Sequence, residues 1–168
     1  MSEKNNIVKA INKNVRSGAR KANLELNYVK GKKAEEYYEY YVDGSIKSQG
    51  LVIDDNIKVG NWINYFNDGA KKSNGAFKDN KESGEWLYFY KSGKNEKKGA
   101  YLNGLMNGEW NGWYRSSKKN FSCVYKDGKR AGNYIEWNSK GKKIKEIYYS
   151  EGKRIKEYFA DTKSKIIK

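Results

Sequence analysis

The chain has 168 residues, 35 of them lysine or arginine against 20 aspartate or glutamate, which gives a formal net charge of +15 at pH 7. It contains no histidine and a single cysteine, which excludes an internal disulfide, histidine-dependent catalytic triads and the commonest zinc sites. Only 37% of the residues are hydrophobic, and aromatic rings supply much of that share: 5 Trp, 15 Tyr and 5 Phe. We therefore expect one domain that is held together by rings rather than by a thick aliphatic core.

The first 26 residues differ from the rest of the chain. Ile7, Ile11 and Val15 recur every four residues among lysines and arginines, which predicts a short basic amphipathic helix over residues 1–26. The preferred interpretation is a cap that protects the first strand of the following array. The alternatives are a basic arm that engages a polyanion, and a disordered segment.

Residues 27–161 repeat a short phrase, Gly-x-(aromatic)-x-x-(aromatic), at a constant spacing. Its glycines fall at 60, 84, 108 and 132, so the period is 24 residues. A turn phrase at 68–69, 92–93, 116–117 and 140–141 keeps the same step, and so does an aromatic column at 77, 101, 125 and 149. Three columns with one period indicate a repeat protein.

Each repeat is predicted to be a β-hairpin, because two aromatic-rich runs, such as 86–90 and 99–102, are separated by glycine-containing turns. The fold class is therefore mainly β, an elongated single-layer antiparallel β-meander of ten or more strands built from 24-residue hairpin repeats, with the short N-terminal helix as its cap. Mid-strand glycines such as Gly75 would let a neighbouring ring lie flat on the backbone. Strand-opening glycines such as Gly84 are expected at positive φ.

Departures from the period fall late in the chain. Cys123 stands where the period calls for glycine, so its unit is expected to be the least regular. The basic tail, residues 162–168, is expected to be frayed.

Alternation along the strands divides the rings between the two faces of the sheet. One face is expected to carry Trp62, Trp86, Trp110 and Tyr134, with Phe66, Tyr90 and Tyr114. The other face is expected to carry Tyr65, Phe89, Trp113 and Trp137, with Ile63, Leu87 and Ile135.

The repeat resembles the MORN-repeat family, in its shorter bacterial variant described as antitoxin-like. The motifs that carry the resemblance are an Asn-Gly or Asp-Gly turn, Gly-x-Trp-x-x-Tyr and a second x-Gly-Lys turn, which occur in 78–94 and again in 102–113. The resemblance covers about residues 28–159, with departures at Asn80, Ser117 and Tyr134. It implies a hairpin array and a protein-binding antitoxin.

The chemistry expected of an enzyme is missing from the sequence. Cys123 has neither a histidine base nor a second cysteine, and no Gly-Lys-Ser/Thr phosphate loop occurs. Carboxylate pairs such as Asp54-Asp55 lie in or beside turns, where solvation is expected. We predict no enzymatic activity, no cofactor and no metal, and a cytoplasmic location from the absence of a signal-peptide core and the lone cysteine.

The preferred function is a protein-binding module: an antitoxin, immunity-type or anti-defence inhibitor that masks an effector enzyme. The partner would be a toxin or a defence nuclease, either acidic or loaded with nucleic acid. The alternative is direct binding of RNA or single-stranded nucleic acid, since basic and aromatic residues combine phosphate contact with base stacking. Attachment to an anionic membrane is a second alternative, and edge strands offer a route to a dimer.

The contact surface is predicted in the fourth repeat unit. Trp113 and Trp137 should share one face about 10 Å apart, two strand spacings. Basic residues lie in the flanking turns, and Ser116-Ser117 breaks the turn rule there. Aromatic anchors rimmed by charge are typical of interface hot spots. The predicted partner-binding residues are Trp113, Trp137, Tyr90, Tyr114, Lys118, Lys119, Lys129 and Arg130.

Overall fold

The computed structural model describes residues 31–54 and 56–159 in full, and the backbone alone of residues 9–10, 28–29 and 162–166. All regular structure in these residues is β-strand. The predicted helix over residues 1–26 falls outside the described residues, except for Lys9–Ala10, which form a short strand instead.

The strands follow one another along the chain with short connections. Their bounds are β1 (Lys9–Ala10), β2 (Tyr28–Val29), β3 (Lys32–Lys33), β4 (Glu35–Tyr40), β5 (Ile46–Ile53), β6 (Ile57–Tyr65), β7 (Lys71–Lys78), β8 (Lys81–Phe89), β9 (Asn95–Leu102), β10 (Leu105–Trp113), β11 (Lys119–Lys126), β12 (Lys129–Trp137), β13 (Lys143–Ser150), β14 (Lys153–Phe159) and β15 (Thr162–Ile166).

Strands β4 to β14 form one open antiparallel sheet of 11 strands in sequence order. Strand β1 pairs with β4 at one edge of this sheet, and β15 pairs with β14 at the other. The prediction of a mainly β protein, an antiparallel meander of ten or more strands, is confirmed.

Two details of the ends differ from expectation. The array is predicted over residues 27–161, but Tyr28–Val29 pairs with Lys32–Lys33 in a separate two-stranded hairpin. The tail was expected to be frayed, but Thr162–Ile166 is a strand paired with β14. An edge strand has unpaired backbone N–H and C=O groups, and a further strand that pairs with it satisfies them.

Two kinds of turn close the hairpins at opposite ends of the strands. At the end that we call the tight-turn rim, turns such as Asn103–Gly104 have two residues with φ of 52° and 80°. Positive φ at both positions gives a twist that matches that of the flanking strands. At the other end, the wide-turn rim, five-residue turns such as 90–94 are closed by a hydrogen bond from the Tyr90 N–H to the Lys94 carbonyl, 2.9 Å long.

The core of this single layer is a row of tryptophans that lie on glycines. Trp62, Trp86 and Trp110 are 0–3% exposed. Gly75 is the cross-strand partner of Trp86, and a Cβ built on it would lie 2.3 Å from the Cδ2 atom of the indole. The expectation that rings lie flat over mid-strand glycines is confirmed.

Other rings fill the space between the indoles. Phe77 meets Trp86 edge-on, with ring centroids 5.2 Å apart and an interplanar angle of 88°. Tyr101 meets Trp110 in the same way, at 5.1 Å and 84°. Edge-to-face pairs add about 0.5–1.5 kcal/mol beyond area burial, so a continuous column of rings can stabilise a sheet on which the described residues place no second layer.

The expected irregularity of the Cys123 unit is also found. The Cys123 side chain is buried, whereas its cross-strand partner Tyr134, in the tryptophan position, is only half-buried. Phe121 stacks on Tyr134 at 6.4 Å and covers Gly112, where a Cβ would lie 2.1 Å from the Phe121 ring. The preceding unit has its ring on the first strand at this ladder position, where Tyr88 pairs with Lys97. In the Cys123 unit Gly112 pairs with Phe121, so the ring is on the second strand instead.

Candidate interaction surface

Aromatic and polar side chains alternate along the wide-turn rim, on the face opposite the buried tryptophans. Each of β6, β8, β10 and β12 ends in an aromatic residue, which lies directly across from the first residue of the next strand. Alternation from the buried tryptophan, three residues earlier, places these rings on the opposite face, as expected. We call the resulting four cross-strand pairs the stripe: Tyr65–Lys71, Phe89–Asn95, Trp113–Lys119 and Trp137–Lys143.

A β-bulge beside each pair decides which residue faces the ring. Asn64 pairs with Ser73, but the next residue, Tyr65, pairs with Lys71, so Lys72 is the extra residue of the bulge. The same shift occurs at the corresponding place in the three later hairpins. Bulges re-aim side chains locally, and here each one brings the first residue of a strand beside an aromatic ring.

Two of the three stripe lysines extend over the rings of the neighbouring hairpin, whereas Lys143 forms an ion pair with Glu146 at 2.7 Å. The Nζ atom of Lys71 lies 6.0 Å from the ring centroid of Phe89, and that of Lys119 lies 5.1 Å from the ring centroid of Trp137. Exposed contacts of this kind contribute about 0.5–1 kcal/mol each. They hold the ammonium groups on the surface, where a partner can reach them.

The ring of Trp113 has a different neighbour. The position that holds Lys71 in one hairpin and Lys119 in another holds Asn95 in the hairpin between them. A hollow of about 330 Å³ opens there and is lined by Gly93, Lys94, Asn95, Trp113 and Ser117.

Tyrosines in the wide turns hold the backbone beneath the stripe. The Tyr90 hydroxyl donates to the carbonyl of Trp113, and the Tyr114 hydroxyl donates to the carbonyl of Trp137, both at 2.7 Å. Burial raises the pKa of the Tyr90 hydroxyl above its ordinary value of 10.0, so the hydroxyl stays a donor to a higher pH than in the unfolded chain. Phe66 stands at the corresponding place in an earlier turn and has no hydroxyl.

The structure brings six of the eight predicted contact residues to the wide-turn rim. Trp113, Trp137 and Lys119 belong to the stripe, and Tyr90, Tyr114 and Lys118 lie in the adjoining turns. Tyr90 and Tyr114, expected on the tryptophan face, follow the last residues of β8 and β10 and reach along the rim to the next hairpin.

The other two predicted residues lie elsewhere. Lys129 and Arg130 begin β12, at the tight-turn rim. Arg130 donates to the Tyr149 hydroxyl at 2.9 Å and lies 5.1 Å from the ring centroid of Tyr134, one of the residues expected on the tryptophan face. Its guanidinium therefore packs with the core rings rather than with the stripe.

Sequence reasoning missed five of the eight stripe residues because it concentrated on one repeat unit. The missed members are Tyr65, Phe89, Lys71, Asn95 and Lys143. The period could have found them, since 71, 95, 119 and 143 are 24 residues apart and the rings keep the same step.

Neither a metal cluster nor an activated thiol accompanies the stripe in the part of the chain that the structure describes. There, no three His, Cys, Asp or Glu side chains come together in a way that could hold a metal ion. Nor do the described residues form a helix that could cross a membrane. Burial raises the pKa of the Cys123 thiol, which disfavours the reactive thiolate.

Comparison with known proteins gives no relative to set beside this surface: no protein-family model matches the chain, and no curated protein matches it significantly.

Proposed function

We propose that the protein is a non-catalytic binding module that uses the stripe to mask an effector enzyme. The observation that carries the proposal is that a half-buried ring lies across from a lysine in three of the four cross-strand pairs of the stripe. Aromatic rings provide apolar contact area with little loss of side-chain freedom, and lysines select an acidic partner.

The module is an array of 24-residue hairpin repeats. Strands β6, β8, β10, β12 and β14 begin at residues 57, 81, 105, 129 and 153, and strands β7, β9, β11 and β13 begin at 71, 95, 119 and 143. This spacing supports the repeat length and is in keeping with a resemblance to bacterial antitoxin-like MORN repeats. An array of similar hairpins repeats an aromatic residue beside a polar one at the same place in each hairpin, which suits an extended contact.

The partner is a protein effector, a toxin or a defence nuclease, with an acidic or nucleic-acid-loaded surface. A net charge of +15 accelerates encounter with such a surface and argues against mimicry of nucleic acid by the inhibitor. The stripe lies on strands whose ends are tied by tyrosine hydroxyls, so that little freedom is lost on binding. The single buried cysteine suits a reducing compartment, and the cytoplasm is the proposed location.

The test is affinity capture from the native host with matched variants. Trp113→Ala with Trp137→Ala removes two rings of the stripe. Tyr148→Ala with Tyr158→Ala removes two exposed rings near the sheet's last strands, where they are 45% and 42% exposed. The proposal expects a stoichiometric protein partner with the wild type and the tyrosine control, its loss with the tryptophan variant, and inhibition of the partner's activity in the purified complex. Retention of the partner by a folded tryptophan variant would show that the stripe is not the contact surface.

A further inference from the structure

The hollow beside Trp113 breaks the pattern of the stripe in one respect. Where lysine ammonium groups lie near the rings of Phe89 and Trp137, the side chain beside Trp113 is the amide of Asn95. An amide carries both a donor and an acceptor in one plane, and it is uncharged. The hollow therefore offers a ring face together with in-plane hydrogen-bonding groups. Lys94 also lines the hollow, and its ammonium group donates to the Arg115 carbonyl at 3.2 Å.

These are the features that recognise a nucleobase. Bases stack on aromatic side chains whatever their sequence, and asparagine forms paired hydrogen bonds with base edges. The lysines that flank the hollow along the stripe, Lys71 on one side and Lys119 on the other, are placed to contact phosphates. A volume of about 330 Å³ is sufficient for one base.

We infer that the hollow lined by Asn95 and Trp113 holds an unpaired base of a single-stranded RNA or DNA that runs along the stripe. The inference rests on the proposed function, because it names what the stripe contacts on the masked effector: the nucleic acid that the effector carries. A base held in a duplex is stacked on both faces and cannot enter the hollow, so the strand must be unpaired.

The experiment measures binding of fluorescently labelled short oligonucleotides by anisotropy, with oligo-U RNA, oligo-dT DNA and a duplex of the same length. Trp113→Ala is expected to weaken single-strand binding about tenfold or more, as loss of one stacking contact does. Asn95→Ala removes an exposed side chain and is expected to weaken binding without affecting the fold. The wild type is expected to prefer both single strands to the duplex, and the ratio of RNA to DNA affinity identifies the sugar.

The salt dependence separates the lysines of the stripe from net charge. Lys71→Ser with Lys119→Ser is expected to reduce the slope of log affinity against log salt by about 1.4, since each phosphate contact of a single strand contributes about 0.7. Lys97→Ser with Lys153→Ser removes the same charge outside the stripe, because Lys97 lies on the tryptophan face and Lys153 at the tight-turn rim. This variant should leave the slope almost unchanged.

Equal binding by the wild type, Asn95→Ala and Trp113→Ala would overturn the inference, and so would equal slopes for the two lysine variants. Nuclease treatment of the captured effector complex tests the proposed function separately from the nucleic-acid contact. A complex that survives nuclease and still requires Trp113 would overturn the nucleic-acid contact and leave masking by protein contact in place. Loss of the complex on nuclease treatment would support the inference.

Discussion

The indole of Trp86 lies flat on the backbone of Gly75, its partner across the ladder between β7 and β8, so closely that a Cβ on the glycine would lie 2.3 Å from the ring. Trp110 covers Gly99 in the same way, at 2.1 Å. Each indole N–H donates to a carbonyl of the strand beneath, from Trp86 to Ala76 at 3.2 Å and from Trp110 to Ala100 at 3.1 Å. One residue type thus supplies both the apolar cover and a satisfied polar group.

Gly75→Ala is the first prediction. No room exists for the added methyl group unless the indole of Trp86 lifts from the strand, so we expect the free energy of unfolding to fall by about 1–3 kcal/mol. Urea unfolding followed by fluorescence measures it.

A double-mutant cycle with Trp86→Leu is the control for this contact. The alanine should lower stability less when the indole is absent, because the clash is then gone. Additive effects of the two substitutions would contradict the contact.

Ser117→Gly is expected to stabilise the protein by about 0.5–1 kcal/mol. Ser117 has a φ of 66°, a left-handed conformation that disfavours residues with a Cβ, and glycine occupies the matching place at Gly93 with a φ of 79°. Ser116→Gly, one residue earlier in the same turn, should lower stability, because it adds only freedom to the unfolded chain. Gly84→Val, which forces a branched side chain to a φ of 69°, should lower the melting temperature further than Ser116→Gly does. Equal melting temperatures would refute this account of the turn.

Tyr114→Phe tests the tie between the wide turns and the stripe. It removes the hydroxyl that donates to the Trp137 carbonyl at 2.7 Å, and we expect a loss of about 0.5–1.5 kcal/mol. Phe66→Tyr should have the opposite effect, since it adds a hydroxyl where the array has none. Thermal unfolding of the two variants measures both effects. An unchanged melting temperature in Tyr114→Phe would contradict a stabilising role for the Tyr114 hydroxyl.

Alkaline pH should destabilise the protein through its half-buried tyrosines. Burial, followed by the charge of Glu136, raises the pKa of Tyr134 to about 12 from its ordinary value of 10.0. In the unfolded chain this hydroxyl loses its proton near pH 10, whereas in the folded protein it keeps the proton until about pH 12. Its contribution is therefore fully present below pH 10 and is lost as pH rises toward 12.

Tyr134→Phe should make the decline in stability between pH 10 and 12 shallower, which denaturant unfolding at several pH values can measure. Tyr40→Phe is the matched control, because Tyr40 belongs to the first hairpin and lies on the face opposite Tyr134. The same pH slope in wild type and Tyr134→Phe would contradict the assignment.

Much of the fold followed from the sequence because its determinants are local. A glycine-containing turn specifies where a chain reverses, and alternation specifies which face a ring takes, so the hairpins and the buried row of Trp62, Trp86 and Trp110 could be predicted. The flat contact of Trp86 on Gly75 was predictable too, since both belong to neighbouring strands.

The interaction surface depended on register, which only the folded sheet shows. Whether Lys71 or Lys72 faces the Tyr65 ring is decided by a bulge that shifts the pairing by one residue, and no local pattern announces it. Arg130 and Trp137 belong to one strand but lie at its opposite ends, and Arg130 packs with the rings of Tyr134 and Tyr149. The sequence by itself determined strands, turns and faces, because these follow from neighbours along the chain. Only the tertiary structure decided which cation meets which ring, because that depends on pairing between strands.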